Sequence, residues 1–137
     1  MEARIDWRGK VQFEALSGSG HSVMLDGPED VGGVNAGARP MELILMGLGG
    51  CASYDVVTIL QKSRQQVSDC QTRVTAERAD AVPAVFSHIH LEFIVSGENL
   101  KESQVKRAVE LSAEKYCSAS IMLGKGGVDI THSYKIT

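Results

Sequence analysis

A long apolar run in the middle of the chain constrains the fold most strongly. Residues 43–60 read LILMGLGGCASYDVVTIL and carry three glycines and Asp55. These interruptions argue against a membrane span and indicate a buried helix, which we predict from Met41 to about Arg64. Pro40 suits the first turn of this helix, and Glu42 complements its positive end. A helix that is apolar nearly all round must be covered on every side, which favours cover by a partner subunit.

Length and composition limit the remaining possibilities. The 137 residues fit one domain, residues 1–137, and the chain is 43% hydrophobic and 23% charged. The net charge of −3 with mixed signs predicts no nucleic-acid surface and no membrane attachment. The N-terminus MEARIDWRGK has no apolar signal core, so we expect a cytoplasmic protein whose three cysteines stay reduced.

The sequence pattern predicts an α+β protein with the order β-β-β, helix, β-β, helix, β. Gly9-Lys10 predicts a turn between the first two strands, and the polar, glycine-rich residues 26–39 predict a mobile loop. Asn99 and Glu102 resemble a capping pair for the second helix. The inner stripe of that helix is predicted to contain Val105, Ala108, Val109, Ser112 and Tyr116. The predicted strands lie at 2–8, 11–16, 21–27, 70–79, 86–95 and 128–136.

Two cysteines, Cys51 and Cys117, stand beside apolar helix-like segments far apart in the sequence. In a chain without a secretory signal, such a pair favours redox chemistry over a structural disulfide. The alternative for Cys51 is an inert core thiol, since free cysteines are among the most buried residue types. We interpret Cys70, at the start of a strand, as a bystander.

A possible metal pattern, H-x-H-x-E, is formed by His88, His90 and Glu92 on one predicted strand. Alternate strand residues share a face, so these groups could converge on an ion. They are also the polar positions of an amphipathic strand, and we favour that interpretation. The glycine clusters lack phosphate-loop spacing, and no hydrolytic triad is grouped. We therefore expect no metal and no cofactor.

Two stretches carry a family resemblance. PMELILMGLGGCASYDVVTIL resembles the central-helix motif of the OsmC/Ohr family of hydroperoxide peroxidases. CSASIML, followed by a last strand, resembles the second cysteine segment of that family, and the order of elements agrees along essentially the whole chain. The resemblance implies an OsmC-like fold, with antiparallel sheets wrapped around a long central helix. It also implies an intertwined homodimer with active sites at the subunit interface.

The resemblance implies roles for individual residues. Cys51 corresponds to the peroxidatic cysteine and Cys117 to the resolving cysteine, so the two are expected to form a disulfide within one chain. The family activates its cysteine with an arginine held by a glutamate. Met41 occupies the place of that glutamate, which leaves Arg8, Arg39 and Glu42 as candidates for the supporting roles.

The sequence therefore supports two functions. The first is a thiol-dependent peroxidase in oxidative stress defence, which reduces organic or small hydroperoxides and is reset by a dithiol reductant such as a lipoyl group. The alternative is a non-peroxidatic OsmC-like protein that binds an apolar ligand or senses redox state. The presence of both cysteines favours the first function, and Met41 favours the second.

Overall fold

Three short strands at the start of the chain form an antiparallel sheet in the computed structural model, which describes residues 1–137. Gly9 and Lys10 both have positive φ angles, of 102° and 48°, so the predicted turn bends tightly in a region that glycine favours. The strand positions agree with the predicted ones within one or two residues. The strands are β1 (Ala3–Gly9), β2 (Gln12–Ser17) and β3 (Ser22–Leu25).

The predicted loop at 26–39 is folded around one buried carboxylate. Asp26 accepts hydrogen bonds from the backbone N–H groups of Gly27, Val34 and Ala36, and from the side chain of Gln12. These bonds lower the pKa of Asp26, with the largest contribution from the N–H of Ala36, because they stabilise the ionised form. A 3₁₀ turn at Glu29–Val31 lies inside the loop.

The central helix, α1, spans Pro40–Lys62 and begins where the sequence predicts. Its buried residues include Leu48, Ala52, Val56 and Leu60, spaced four apart, so they form one stripe. Other apolar side chains of α1, such as Met46 and Tyr54, are exposed. By length and composition α1 could cross a membrane, a test that core helices of soluble proteins also pass. Within the single chain, α1 is therefore not covered on every side, although a helix of this apolar character is expected to be.

Residues 1–45 and residues 46–137 form two compact units. The second unit contains a sheet of β4 (Gln66–Arg78), β5 (Phe86–Glu98) and β6 (Asp129–Ile136). β4 and β5 form the predicted antiparallel hairpin, and Ile89, Leu91 and Phe93 face the core as expected. β6 instead runs parallel to β5. The expectation of purely antiparallel sheets is thus wrong here, because the helical segment between β5 and β6 is long enough for a parallel crossover.

That crossover contains two helices rather than the single predicted one. Helix α2 (Glu102–Leu111) leads into a π-helical turn, Ser112–Tyr116, and a separate helix, α3 (Ser118–Lys125), follows. The capping residue of α2 is Lys101 and not Asn99, whose φ is positive at 52°. Val105, Ala108, Val109 and Ser112 are buried as predicted. Tyr116 is exposed, because the π turn rotates it away from the stripe of α2.

Candidate active site

Cys51 lies on α1 where the helix approaches strand β4. A Cβ atom on Gly49 would come within 3.0 Å of a methyl group of Val74, so glycine permits this close approach. Ser53 also contacts β4, since its hydroxyl lies 2.7 Å from that of Thr72. The Cys51 side chain is half-buried and is a free thiol.

Cys117 occupies the junction between the π turn and α3, where its backbone is extended. Its side chain is completely buried. The sulfur caps α3 by accepting a hydrogen bond from the backbone N–H of Ser120 at 3.4 Å. Ser112 begins the same turn and donates its buried hydroxyl to the carbonyl of Ala52 at 3.2 Å. This bond ties the segment of Cys117 to α1 next to Cys51.

The fold brings the two cysteines together with a carboxylate that sequence reasoning missed. The sulfurs of Cys51 and Cys117 and a carboxylate oxygen of Asp55 all lie within 4.8 Å of one another. Cys51 and Asp55 are four residues apart, so both project from one face of α1. We call these three residues the thiol cluster. The sequence signal for Asp55 is a lone carboxylate in an otherwise uncharged run, one helical turn beyond a cysteine.

Burial dominates the electrostatics of the thiol cluster. It raises the pKa of Cys117 to about 11, against the opposing hydrogen bond from Ser120, and Cys51 and Asp55 raise it further. Burial also raises the pKa of Asp55, and one oxygen of that carboxylate is buried without a hydrogen-bond partner. Cys117 therefore holds its proton near neutral pH.

A cleft of about 580 Å³ reaches the thiol cluster at Asp55. Its wall combines apolar surface with two cations, Lys62 from α1 and Arg107 from α2. A molecule with an apolar body could therefore enter from solvent and approach Asp55. The remaining lining residues are Tyr54, Thr58, Ile59, Ser63, Gln104, Leu111 and Tyr116.

The three supporting residues inferred from the family all lie in the unit of residues 1–45 and have partners there. Arg8 forms ion pairs with Glu14 at 3.1 Å and Asp6 at 3.6 Å. The Arg39 guanidinium donates to the side chain of Asn35 and to the carbonyl of Gly37. Glu42 accepts the backbone N–H of Arg39 at 2.8 Å and so caps α1. Glu42 thus holds Arg39 through its backbone, and their roles in activating a thiol stay predictions.

Cys70 and the histidines of β5 differ from the thiol cluster in the surroundings of their side chains. Burial is the main cause that raises the pKa of Cys70 on β4, so this thiol is a weak nucleophile near neutral pH. On β5, His88 contacts Asp129 at 3.1 Å, and His90 contacts Thr131 and Ser133 at 2.7 and 2.8 Å. Lys135 lies 2.6 Å from Glu92. These side chains form a bonded polar face with β6, which agrees with the amphipathic-strand interpretation.

Comparison with known families shows a match over most of the chain. Residues 32–133 match the model of the family described as OsmC-like protein. The chain is 49% identical to Protein YhfA of Escherichia coli K12 over 139 aligned positions, which cover 99% of this chain and 98% of the relative.

Solved structures share the fold. A hypothetical protein from Aquifex aeolicus has a TM-score of 0.86 and 28% identity, over 99% of this chain and 95% of its own. An organic hydroperoxide resistance protein OsmC from Legionella pneumophila has a TM-score of 0.71 and 16% identity, over 98% and 95% of the two chains. At 16% identity, the similarity to the Legionella protein concerns the fold alone. It supports the OsmC-like fold that the sequence resemblance predicts.

Proposed function

Because the chain belongs to the OsmC-like family, we propose that it is a thiol-dependent peroxidase that reduces organic or small hydroperoxides through Cys51 and Cys117. The observation that carries the proposal is the approach of the two sulfurs to within 4.8 Å, across 65 intervening residues of sequence. Two solved structures with the same fold are named as organic hydroperoxide resistance proteins, which agrees with this chemistry.

In the first step, the Cys51 thiolate attacks the outer oxygen of the hydroperoxide. The O–O bond breaks, the alkoxide leaves and takes up a proton, and Cys51 becomes a sulfenic acid. Cys117 retains its proton during this step, and its sulfur stays near that of Cys51. The unequal burial of the two thiols supports the division of roles that the family resemblance implies.

In the second step, Cys117 resolves the sulfenic acid. Oxidation of Cys51 removes the negative charge that helps raise the pKa of Cys117, so Cys117 loses its proton more readily once it is needed as a nucleophile. Its sulfur attacks the Cys51 sulfur, a disulfide forms, and water leaves. The sulfurs start within 4.8 Å and close to about 2.05 Å when the disulfide forms.

A dithiol reductant completes the cycle by thiol–disulfide exchange. One of its thiolates attacks the Cys51–Cys117 disulfide, and its second thiol releases the mixed disulfide. The overall reaction converts a hydroperoxide and a dithiol into an alcohol, water and an oxidised dithiol. The cleft next to Asp55 offers apolar wall from Ile59 and Leu111 to the organic part of the substrate.

The proposal extends to a cytoplasmic homodimer that acts in oxidative stress defence. The supporting observation for dimerisation is an exposed strip of α1 formed by Met46, Gly47, Gly50 and Tyr54. A Cβ atom on Gly47 or Gly50 would meet nothing within 4 Å. The strip is therefore open to close packing by a second helix, as the apolar character of α1 requires.

A second candidate function rests on a different observation. Met41 stands where the family has its glutamate, and both candidate arginines are held by other groups of the first unit. A chain without the activating pair would keep the cleft and the thiol cluster but react slowly with peroxide. It would then bind an apolar ligand or sense redox state.

A peroxide-consumption assay with a lipoyl dithiol tests the proposal. We expect Cys51→Ser to abolish consumption of an organic hydroperoxide, because no other thiol can take its place. Cys70→Ser is the matched control, and it should consume peroxide like the wild type. Equal loss in both variants, or an inactive wild type whose thiols are fully reduced, would favour the second candidate function.

A further inference from the structure

The thiol cluster has the composition of a metal site, although the sequence shows no metal-binding spacing. Two cysteine sulfurs and a carboxylate oxygen lie within 4.8 Å of one another. We propose that the reduced protein binds a thiophilic divalent cation of the Zn²⁺ class through Cys51, Cys117 and Asp55. This proposal does not depend on the peroxidase function, because it concerns the reduced protein in the absence of peroxide.

The separations suit tetrahedral coordination after a small inward movement. With bonds of about 2.3 Å to sulfur and about 2.1 Å to oxygen, ligand atoms of a tetrahedral zinc site are roughly 3.5 to 3.8 Å apart. The observed limit of 4.8 Å leaves about 1 Å to close, which rotation of side chains can provide. Cys51 and Asp55 are one helical turn apart on α1, so both approach an ion from the same side.

The surroundings of the ligands favour bound metal. The backbone N–H of Ser120 already points at the Cys117 sulfur, and such outer hydrogen bonds orient and stabilise metal thiolates. One Asp55 oxygen is buried without a donor, so an ion would satisfy a carboxylate that the protein leaves unsatisfied. The cleft at Asp55 gives water or a small ligand access to the fourth position.

Metal binding and disulfide chemistry exclude each other at this site. An ion holds both sulfurs as thiolates and releases their protons, so neither sulfur is free to attack a peroxide. Conversely, a Cys51–Cys117 disulfide has no thiolate left to donate to the ion. The bound ion therefore protects the reduced pair, and the pair is oxidised only after the ion has left.

The test uses Co²⁺ as a spectroscopic probe and Zn²⁺ as its competitor, with reduced, metal-free protein. We expect one Co²⁺ per chain, with thiolate charge-transfer absorption and the visible bands of a tetrahedral ion, and displacement of Co²⁺ by Zn²⁺. Cys70→Ser should bind like the wild type. Asp55→Asn, nearly isosteric, should weaken Zn²⁺ binding at least tenfold, which corresponds to about 1.4 kcal/mol.

Two results would overturn the proposal. One is the absence of thiolate-to-cobalt absorption in the reduced wild type, and the other is unchanged Zn²⁺ affinity in Asp55→Asn and Cys117→Ser. The peroxide assay in metal-free buffer separates this inference from the proposed function. Zn²⁺ binding without peroxide consumption would refute the peroxidase alone, and consumption without Zn²⁺ binding would refute the metal site alone.

Discussion

Two groups of metal-type side chains in the second unit differ in how their polar atoms are satisfied. On the histidine face of β5, His88, His90 and Glu92 each contact a side chain of β6. In the thiol cluster, by contrast, an Asp55 oxygen is buried without a partner and the two cysteines form no disulfide. The H-x-H-x-E pattern, which resembles a metal motif in the sequence, is a surface whose side chains already have partners on β6. The thiol cluster, which no sequence motif indicates, contains the buried oxygen that has no hydrogen-bond partner.

The difference indicates where reactivity is expected. Partners on β6 fix the ring positions of the histidines and occupy their nitrogen atoms, so the face contributes to sheet stability. The thiol cluster instead keeps three acidic groups close together in a partly buried place, where burial, Cys51 and Asp55 all oppose ionisation of Cys117. Such an arrangement is costly for a structural element and useful for a reactive one. The following predictions test this contrast.

The largest effect is expected from Cys117→Ser. Cys51 should then react with peroxide once and stall as a sulfenic acid, or oxidise further, because no thiol resolves it. Non-reducing peptide mapping of the oxidised wild type should find a Cys51–Cys117 disulfide within one chain. Cys70→Ser should give the same disulfide and sustained turnover. A wild type with Cys51–Cys51 or Cys51–Cys70 links would remove the thiol cluster from the mechanism.

A large effect on assembly is expected from Met46→Glu. Met46 is 58% exposed on α1, and a charge there would be buried if a second α1 packs on it. The dimer dissociation constant should rise at least tenfold, equivalent to about 1.4 kcal/mol, as measured by sedimentation. Met122→Glu is the control, since Met122 is similarly exposed, at 67%, on α3. A wild type that sediments as a folded monomer would refute dimerisation.

A moderate effect is expected from Asp55→Asn on the rate of disulfide formation. Removing the carboxylate removes a charge that raises the pKa of Cys117, so this pKa should fall. Cys117 would then be ionised in a larger fraction of molecules at mildly alkaline pH, and resolution of the sulfenic acid should become faster. Stopped-flow kinetics with one equivalent of peroxide measures this rate. Slower resolution would show that Asp55 instead accepts the Cys117 proton.

The sequence allowed prediction of the fold better than of the site. Apolar periodicity and glycine turns locate the strands and the start of α1, because these signals are local. The break between α2 and α3 was missed because a π turn keeps a helical pattern and needs neither glycine nor proline. Asp55 was missed because its importance depends on Cys117, which only the tertiary fold brings near. The pairing of Cys51 with Cys117 came from family resemblance, since spacing alone left other partners open.

On the histidine face, His90→Ala should have a small and purely structural effect. It removes contacts of 2.7 and 2.8 Å to Thr131 and Ser133, and the free energy of unfolding should fall by about 0.5–1.5 kcal/mol for each net hydrogen bond lost. Peroxide consumption and Co²⁺ spectra of the reduced protein should stay unchanged. Urea denaturation measures the stability, and a loss of Co²⁺ binding would place the metal on this face instead.

The smallest effect is expected from His132. This residue lies on β6, the strand that carries the partners of the histidine face, but it has no hydrogen-bond partner itself. Its Nε2 atom is buried without a hydrogen bond, and burial, with a smaller contribution from nearby His90, lowers its pKa against the opposing charge of Glu114. The unfolded chain therefore binds a proton below about pH 6.5, where the folded chain does not yet bind one. Stability should fall as the pH drops below that value. His132→Gln should reduce the change in unfolding free energy with pH, measured by urea denaturation. His21→Gln, at an exposed turn, should leave this pH dependence unchanged. The same pH dependence in both variants would exclude His132 as the cause.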